Sequence, residues 1–411
     1  MPQAEPDRAP GRWSMLALIA LAELLGMAVW FAATAVAPEL REQWGLTPAQ
    51  SGWLTSAVQL GFVAGTLGAA ALNIADLFPS RSYFAICAAL AAGANGALLL
   101  AGGYGPALVL RFLTGFFLAG VYPPAMKMAS TWFRSGRGLA IGTVVGALTV
   151  GKALPYLIDA VGGVRMAPVV LGTSAAALAA AALVAVGYRD GPFAFPRRPF
   201  SWRLAGEVAR LRDLRLVTAG YLGHMWELYC FWAWISAFLA ASAAARVATG
   251  QPAPGAATVT LLAFLIIACG GIACVVGGGI ADRVGRERLV MGALAVSGGC
   301  ALVIGFAFGK SFWLLVPIAA VWGMSVIADS AQFSALVTEL APSHAVGTAL
   351  TLQTSLGFLL TTVTIQMVPH MVEWVGWQWA FPALALGPLA GIAAIGRLAR
   401  LRRLQGVPTP G

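Results

Sequence analysis

The chain has 411 residues, of which 59% are hydrophobic and only 10% are charged, and its mean hydropathy is +0.81. Soluble domains carry about 25% charged residues, so this composition excludes a soluble globular protein and describes a chain that crosses a membrane many times. The net charge of +10 lies in short loops, not on a basic face interleaved with aromatics, which argues against a nucleic-acid partner and makes the charge a marker of membrane orientation.

Residues 1–12 read as a polar, Pro-rich cytoplasmic tail. The first predicted span runs from Trp13 to Val36; Ala35-Val36-Ala37 resembles a signal-peptide cleavage site, but the apolar run is too long for one and carries Glu23. Further spans are expected over Ser51–Ala75, Ser82–Ala101, Pro106–Met128, Gly138–Val161 and Pro168–Gly187. A polar linker with seven arginines follows over 188–215. In it Leu204, Val208, Leu211 and Leu214 recur at helical spacing, which predicts an amphipathic helix on an anionic membrane face. A second set is expected at Leu216–Leu239, Thr258–Ile280, Leu289–Phe308, Phe312–Leu336, Ala345–Val368 and Ala380–Gly396, before a tail over 397–411. The expected fold is therefore an all-α membrane protein of twelve transmembrane helices, six in 13–187 and six in 216–396.

Loop charge gives the orientation. With a cytoplasmic N-terminus the inside segments hold Arg8, Arg12, Arg81, Arg134, Arg137, the linker arginines, Arg283, Arg286, Arg288 and four arginines of the tail. The outside loops hold only Arg41, Arg165, Arg246 and Lys310, so both termini are expected in the cytoplasm.

Three markers repeat across the two sets. Glu23-Leu24 with Trp30 returns as Glu227-Leu228 with Trp234, Asp76 returns as Asp282, and Gly142-Thr143 returns as Gly347-Thr348. The offsets are 204, 206 and 205 residues, which describes a parallel duplication into two pseudo-symmetric six-helix bundles.

The loop Gly278-Gly279-Ile280-Ala281-Asp282-Arg283-Val284-Gly285-Arg286 resembles the signature loop of the major facilitator superfamily, G-x-x-x-D-R-x-G-R. Its first-half copy keeps Asp76 and Arg81 but has Leu72 and Pro79 where glycines are usual. Arg111-Phe112-Leu113-Thr114-Gly115 resembles a second motif of that superfamily. The resemblance covers nearly the whole chain and implies the fold of that superfamily, with spans 1, 4, 7 and 10 lining a central cavity. It also implies that the signature loop latches the cytoplasmic side in one of two states; the plainer reading is a polar turn. Physically, its glycines permit a tight turn, and Asp282 can pair with arginines and approach the positive N-terminus of a neighbouring helix.

The deep ionisable residues are Glu23 in span 1, Arg111 in 4, Lys152 in 5, His224 and Glu227 in 7, and Asp329 in 10; the interiors of spans 3, 6, 9 and 12 have none. A carboxylate at the centre of a lipid-facing helix costs roughly 2.5 kcal/mol or more, so these groups are expected to face protein or water. Glu227 lies roughly 16 Å into its span, with His224 one turn away, so the two are expected to share a face and a proton, against the alternative of a structural hydrogen-bonded pair. Glu23 sits at matching depth. Lys152 has three readings: it neutralises an acidic substrate, pairs with Glu23, or snorkels outward. Arg111 is expected on a carboxylate or on carbonyls, Asp329 at a gate, and Trp30 and Trp234 two turns from the acids.

All five cysteines lie inside apolar runs without metal-ligand spacing, and there is no phosphate loop or nucleophile elbow, so no metal, cofactor or ATPase engine is expected. The leading function is a secondary active transporter of the inner membrane, a monomer in the lipid bilayer that moves a small-molecule solute, a small organic anion or metabolite, by rocker-switch alternating access driven by protons. The alternative is a proton-antiport drug or metabolite exporter. Against it, Gly142, Gly146 and Gly151 survive in span 5, but the Gly-Pro that such exporters carry there is absent and Pro155 comes later. An enzyme would need a nucleophile that the sequence does not single out, and a receptor would bind without flux.

Overall fold

The computed structural model describes residues 9–133, 136–193 and 201–404. Arg8, Arg134, Arg197 and Arg198 of the loop-charge count, the end of the tail, and the side chains of Asp76 and Arg137 lie outside what is described. Among the described residues, eleven helices are long and apolar enough to cross a membrane. They are span 2 (Pro48–Ala71), span 3 (Ser80–Leu100), span 4 (Tyr104–Ser130), span 5 (Gly138–Val161), span 6 (Met166–Gly187) and span 7 (Arg212–Ala248). The rest are span 8 (Ala256–Val284), span 9 (Arg286–Ala307), span 10 (Phe312–Leu340), span 11 (Val346–Val375) and span 12 (Trp377–Leu404).

Span 1 is the exception in form. Its helix covers Arg12–Met27, breaks, and resumes as the single turn Ala32–Ala35 before Ala37–Trp44. Sixteen helical residues reach only about 24 Å, so the crossing is completed by the irregular segment around Trp30. Such backbone survives at membrane depth only where protein buries it, and residues 26–33 are buried throughout. Span 4 is interrupted between Leu118 and Tyr122, where Pro123 restarts the helix, and span 10 pauses at Asp329.

Consecutive spans run in opposite directions. Arg81 donates to Ala185 O, and Arg402 meets Glu287 at 2.5 Å; both contacts lie on the face that carries the chain ends of the two bundles. On the other face Met166 N donates to Glu39, and Gly309 N donates to Ser242 Oγ at 2.9 Å. Within the first half spans 1·5, 1·6, 2·4, 3·4 and 3·6 pack together, and within the second 7·11, 7·12, 8·10, 9·10 and 9·12 do. Each pair becomes its counterpart when six is added. The extensive contacts between halves, 5·8 and 2·11, exchange under the same shift, which is what a twofold between two bundles requires.

Glycine sets the tightest of these crossings. A Cβ on Gly146 would stand 2.6 Å from Gly271 O, so spans 5 and 8 meet backbone to backbone. Large apolar side chains face outward on the spans, and Trp313 and Trp374 stand 92% and 78% exposed at span ends, the pattern of a lipid-facing belt with interfacial aromatics. The linker departs from expectation. Its helix is only Trp202–Val208, Leu211 already caps span 7, and Leu214 belongs to that span. The expected single amphipathic helix is therefore two pieces, the first tied to span 11 by Ser201 N donating to Thr348 Oγ1 at 3.3 Å.

Candidate functional site

Gly151 brings span 5 onto span 1: a Cβ there would stand 2.2 Å from Leu24 O. This close approach delivers the next residue, Lys152, to the centre of the molecule, where it is 1% exposed. Its Nζ lies 3.8 Å from the centre of the Trp30 ring, 4.4 Å from Tyr229, 5.5 Å from Trp232 and 5.9 Å from Phe358, and it donates a hydrogen bond to Tyr229 Oη. Phe62 closes the group, 5.1 Å from Trp30 and 4.6 Å from Phe358. Trp30, Phe62 and Lys152 come from the first half; Tyr229, Trp232 and Phe358 come from the second. A desolvated ammonium over aromatic faces gains about 2 kcal/mol or more, so this box both holds Lys152 and ties the halves together.

Glu23 is fully buried beside it, and neither carboxylate oxygen has a hydrogen-bond partner. It lies near enough to Lys152 for the two to interact electrostatically, yet its oxygens form no hydrogen-bonded pair with the ammonium. Snorkelling to a membrane face is thus not what Lys152 does. The indole nitrogens of Trp30 and Trp232 and the whole amide of Gln59, one turn from Phe62, are also buried without partners.

Arg111 serves another purpose. Its guanidinium donates to Asn95 Oδ1 at 2.9 Å, to Val29 O at 3.0 Å and to Trp30 O. Those carbonyls lie where span 1 breaks, Val29 O otherwise accepting only from Ala32 N at 3.5 Å, and a cation at a helix C-terminus also meets the negative end of its dipole. Asn95 is fixed in turn by donating to Thr173 Oγ1 at 3.0 Å and Ser174 Oγ at 2.9 Å. Arg111 therefore holds carbonyls, not a carboxylate.

In the second half the expected His224–Glu227 pair does not form. Glu227 accepts from Ser297 Oγ at 2.8 Å and from Trp322 Nε1 at 2.7 Å, in spans 9 and 10. His224 instead places Nδ1 2.9 Å from Oδ1 of Asp329, a close contact without an aligned hydrogen bond, and both Asp329 oxygens and Nε2 of His224 lack hydrogen-bond partners. The reason is packing: the neighbouring spans offer each group a separate partner, and a buried carboxylate takes the donors within reach. Trp234 sits away from Glu227, donating to Ile365 O at 2.9 Å and lying against Gly52 of span 2. At the same end Gln366 and Ser56 are hydrogen-bonded across the halves at 3.1 Å.

At the other end lies the signature loop. Gly285 is the sole link between spans 8 and 9 and has φ 92°, a conformation that favours glycine. Asp282 places its carboxylate against Gly138, at the N-terminus of span 5. Arg286 lies 2.6 Å from Glu339, 2.7 Å from Gln332 and 3.9 Å from Asp282. Gly278 packs on Gly138 O, where a Cβ would stand at 3.1 Å, while Arg283 lies exposed. In the first half Pro79 leads into span 3, behind the short helix Ile74–Leu77, so the two loops differ in build.

The expected central cavity is not open to solvent at its ionisable residues: Glu23, Lys152, His224 and Glu227 are all buried in this conformation. Among the described residues a cavity of about 190 Å³ lies between spans 7 and 11 near Leu214, Thr218, Leu352 and Gln353, and an open groove of about 480 Å³ lies between spans 8, 9 and 10. Neither reaches Glu23, Lys152, His224 or Glu227. Among the described residues no group of three His, Cys, Asp or Glu could hold a metal. Sequence reasoning missed Tyr229, Phe62, Phe358, Ser297 and Trp322. A buried carboxylate needs donors, so polar side chains in spans 9 and 10 were the available signal for the last two.

Residues 19–365 match the sequence profile of the family described as Major Facilitator Superfamily. The chain is 30% identical over 132 residues to the hexuronate transporter of Escherichia coli (strain K12), a stretch covering 32% of this chain and 30% of that protein. It is 34% identical over 94 residues to the niacin transporter NiaP of Acinetobacter baylyi, covering 23% of this chain and 21% of that protein. The aligned stretches thus span about a third or less of these relatives.

Proposed function

The chain belongs to the major facilitator superfamily, and on that premise we propose that it is a secondary transporter carrying a small organic anion by alternating access coupled to protons. The observation that carries this reading is Lys152. It is the cation buried where the two halves meet, its charge is not cancelled by an ion pair, and it lies among side chains from both bundles. Parting of the halves strips away Tyr229, Trp232 and Phe358 and leaves the ammonium seeking an anion. Hexuronate and niacin, named for the two relatives, are both carboxylates at neutral pH, which agrees with an anionic solute.

Glu23 is the proton carrier in this scheme, because its oxygens have no fixed donors and it faces the same lysine. When an anion neutralises Lys152, Glu23 loses a compensating charge and takes up a proton; release of the anion reverses this. The bundles of 13–187 and 216–396 act as the moving halves, and the 188–215 segment joins them. Asp282, set against Gly138 of span 5 and backed by Arg286, closes the face that holds the termini, which in this reading is the cytoplasmic side, as the arginine distribution suggests.

The test is uptake of radiolabelled organic acids into proteoliposomes with an imposed pH gradient. Lys152→Met is expected to abolish uptake while the protein still inserts and elutes as the wild type. Glu23→Gln is expected to retain solute exchange and lose stimulation by the gradient. Wild-type uptake by Lys152→Met overturns the anion site, and full gradient stimulation of Glu23→Gln overturns the coupling role.

A further inference from the structure

Resting on that reading, the chemistry of the box distinguishes between kinds of organic anion. A sugar acid presents several hydroxyls, and each one buried needs a hydrogen-bond partner or costs about 1–3 kcal/mol. The walls around Lys152 supply ring faces instead: Trp30 and Phe358 lie against each other and against both Phe62 and Tyr229, with centroids 4.6–5.8 Å apart and planes tilted by 40–59°. The polar atoms without partners beside these rings are fewer than the ring faces: the two indole N–H groups of Trp30 and Trp232 and the amide of Gln59 offer donors, Ser355 Oγ lies one turn from Phe358, and Glu23 is the acid. An ammonium with a small set of donors matches one carboxylate, and the aromatic walls match one flat ring.

We infer that the solute is a flat aromatic or heteroaromatic monocarboxylate. A cation box ordinarily takes a cationic ligand, but here its cation is the protein's own Lys152, so the group that completes the site bears the opposite charge. In the structure described, the ammonium occupies the place over the Trp30 ring. When the halves part, the carboxylate draws Lys152 off that face, and the ring of the solute takes its place between Trp30 and Phe358. Closure of the second half then brings Tyr229 and Trp232 over the bound ring.

The experiment uses the full-length protein in lipid nanodiscs and measures binding of four probes by titration calorimetry: benzoate, cyclohexanecarboxylate, glucuronate and benzylamine. Benzoate is expected to bind roughly tenfold or more tightly than cyclohexanecarboxylate, the ratio expected from about 1.4 kcal/mol of ring contacts. Glucuronate is expected to bind more weakly than either. Trp30→Leu, or Phe358→Leu should the former fail to fold, is expected to bring benzoate and cyclohexanecarboxylate within about threefold of each other, since stacking is what separates them. If glucuronate or cyclohexanecarboxylate binds as well as benzoate, the ring inference fails and the organic-anion reading stands. If benzylamine binds and no carboxylate does, or if none of the four binds, both fail together.

Discussion

Removal of the Arg111 side chain tests whether this buried cation serves the fold or the solute. In Arg111→Met the methionine fills much of the same space but donates nothing. Two buried acceptors, Trp30 O and Asn95 Oδ1, then lose their donor, and Val29 O is left with only the long bond from Ala32 N at 3.5 Å. At about 1–3 kcal/mol for each stranded acceptor, the gross cost is roughly 2–6 kcal/mol. Relief of the arginine's own desolvation offsets part of this, and a net loss of about 3 kcal/mol is expected. Arg111→Lys keeps the charge but not the fork that spans three acceptors, so it is expected to fall between the two. The assay is thermal unfolding of detergent-solubilised protein, followed by tryptophan fluorescence. Because the break in span 1 positions Trp30, loss of benzoate binding is expected to accompany loss of stability. An Arg111→Met protein that unfolds at the wild-type temperature yet fails to bind refutes the structural role and puts Arg111 in contact with the solute.

Trp322→Phe and Ser297→Ala each remove a donor from Glu227 and are expected to cost about 1–3 kcal/mol in the same melting assay, since each leaves a buried Glu227 oxygen without a partner. In a Glu227→Leu background the Trp322→Phe step is expected to cost much less; equal costs in both backgrounds would show that the bond does not contribute. Gly115→Ala is expected to lower stability by about 1–3 kcal/mol and to reduce folded yield, because its Cβ would stand 2.0 Å from Val58 O. Gly279→Ala, with open space at its Cβ, is the control and is expected to melt at or above the wild-type temperature.

What the sequence made legible followed from signals that survive without knowledge of packing. Hydropathy located the spans, and the offset between Asp76 and Asp282 located the repeat, because both depend only on position along the chain. Partners were another matter. His224 and Glu227 share a face of span 7 at i and i+3, yet Asp329 approaches one and Ser297 and Trp322 approach the other. Which neighbour arrives is decided by the crossing of spans 7, 9 and 10. The break in span 1 had no warning, since Ala28-Val29-Trp30-Phe31 contains neither glycine nor proline. The box was hidden for a plainer reason: Tyr229, Phe62 and Phe358 look like any aromatics in an apolar helix until Lys152 is found among them.

The repeat that marks Glu23 and Glu227 as counterparts also shows how far they have diverged. Shifted by the 205 residues that relate Gly142 to Gly347, Lys152 falls on Gly357, so the second half has no cation at the matching place. The reverse holds for the donors that fix Glu227. Shifted back by the 206 residues relating Asp282 to Asp76, Ser297 falls on Ala91, which offers no hydroxyl. Trp322 immediately precedes Gly323, which lies against Ile266 O as Gly115 lies against Val58 O, and its counterpart is therefore Thr114. The Thr114 hydroxyl is already committed to Leu110 O at 2.8 Å. Each acid thus has what the other lacks. Glu227 is held by two neutral donors inside one bundle and moves with that bundle, whereas Glu23 has no fixed donor and faces a cation whose surroundings come from both halves. Under the proposed alternating access a carboxylate responds only if the opening of the halves changes its surroundings, and this geometry favours Glu23 over Glu227 for that role.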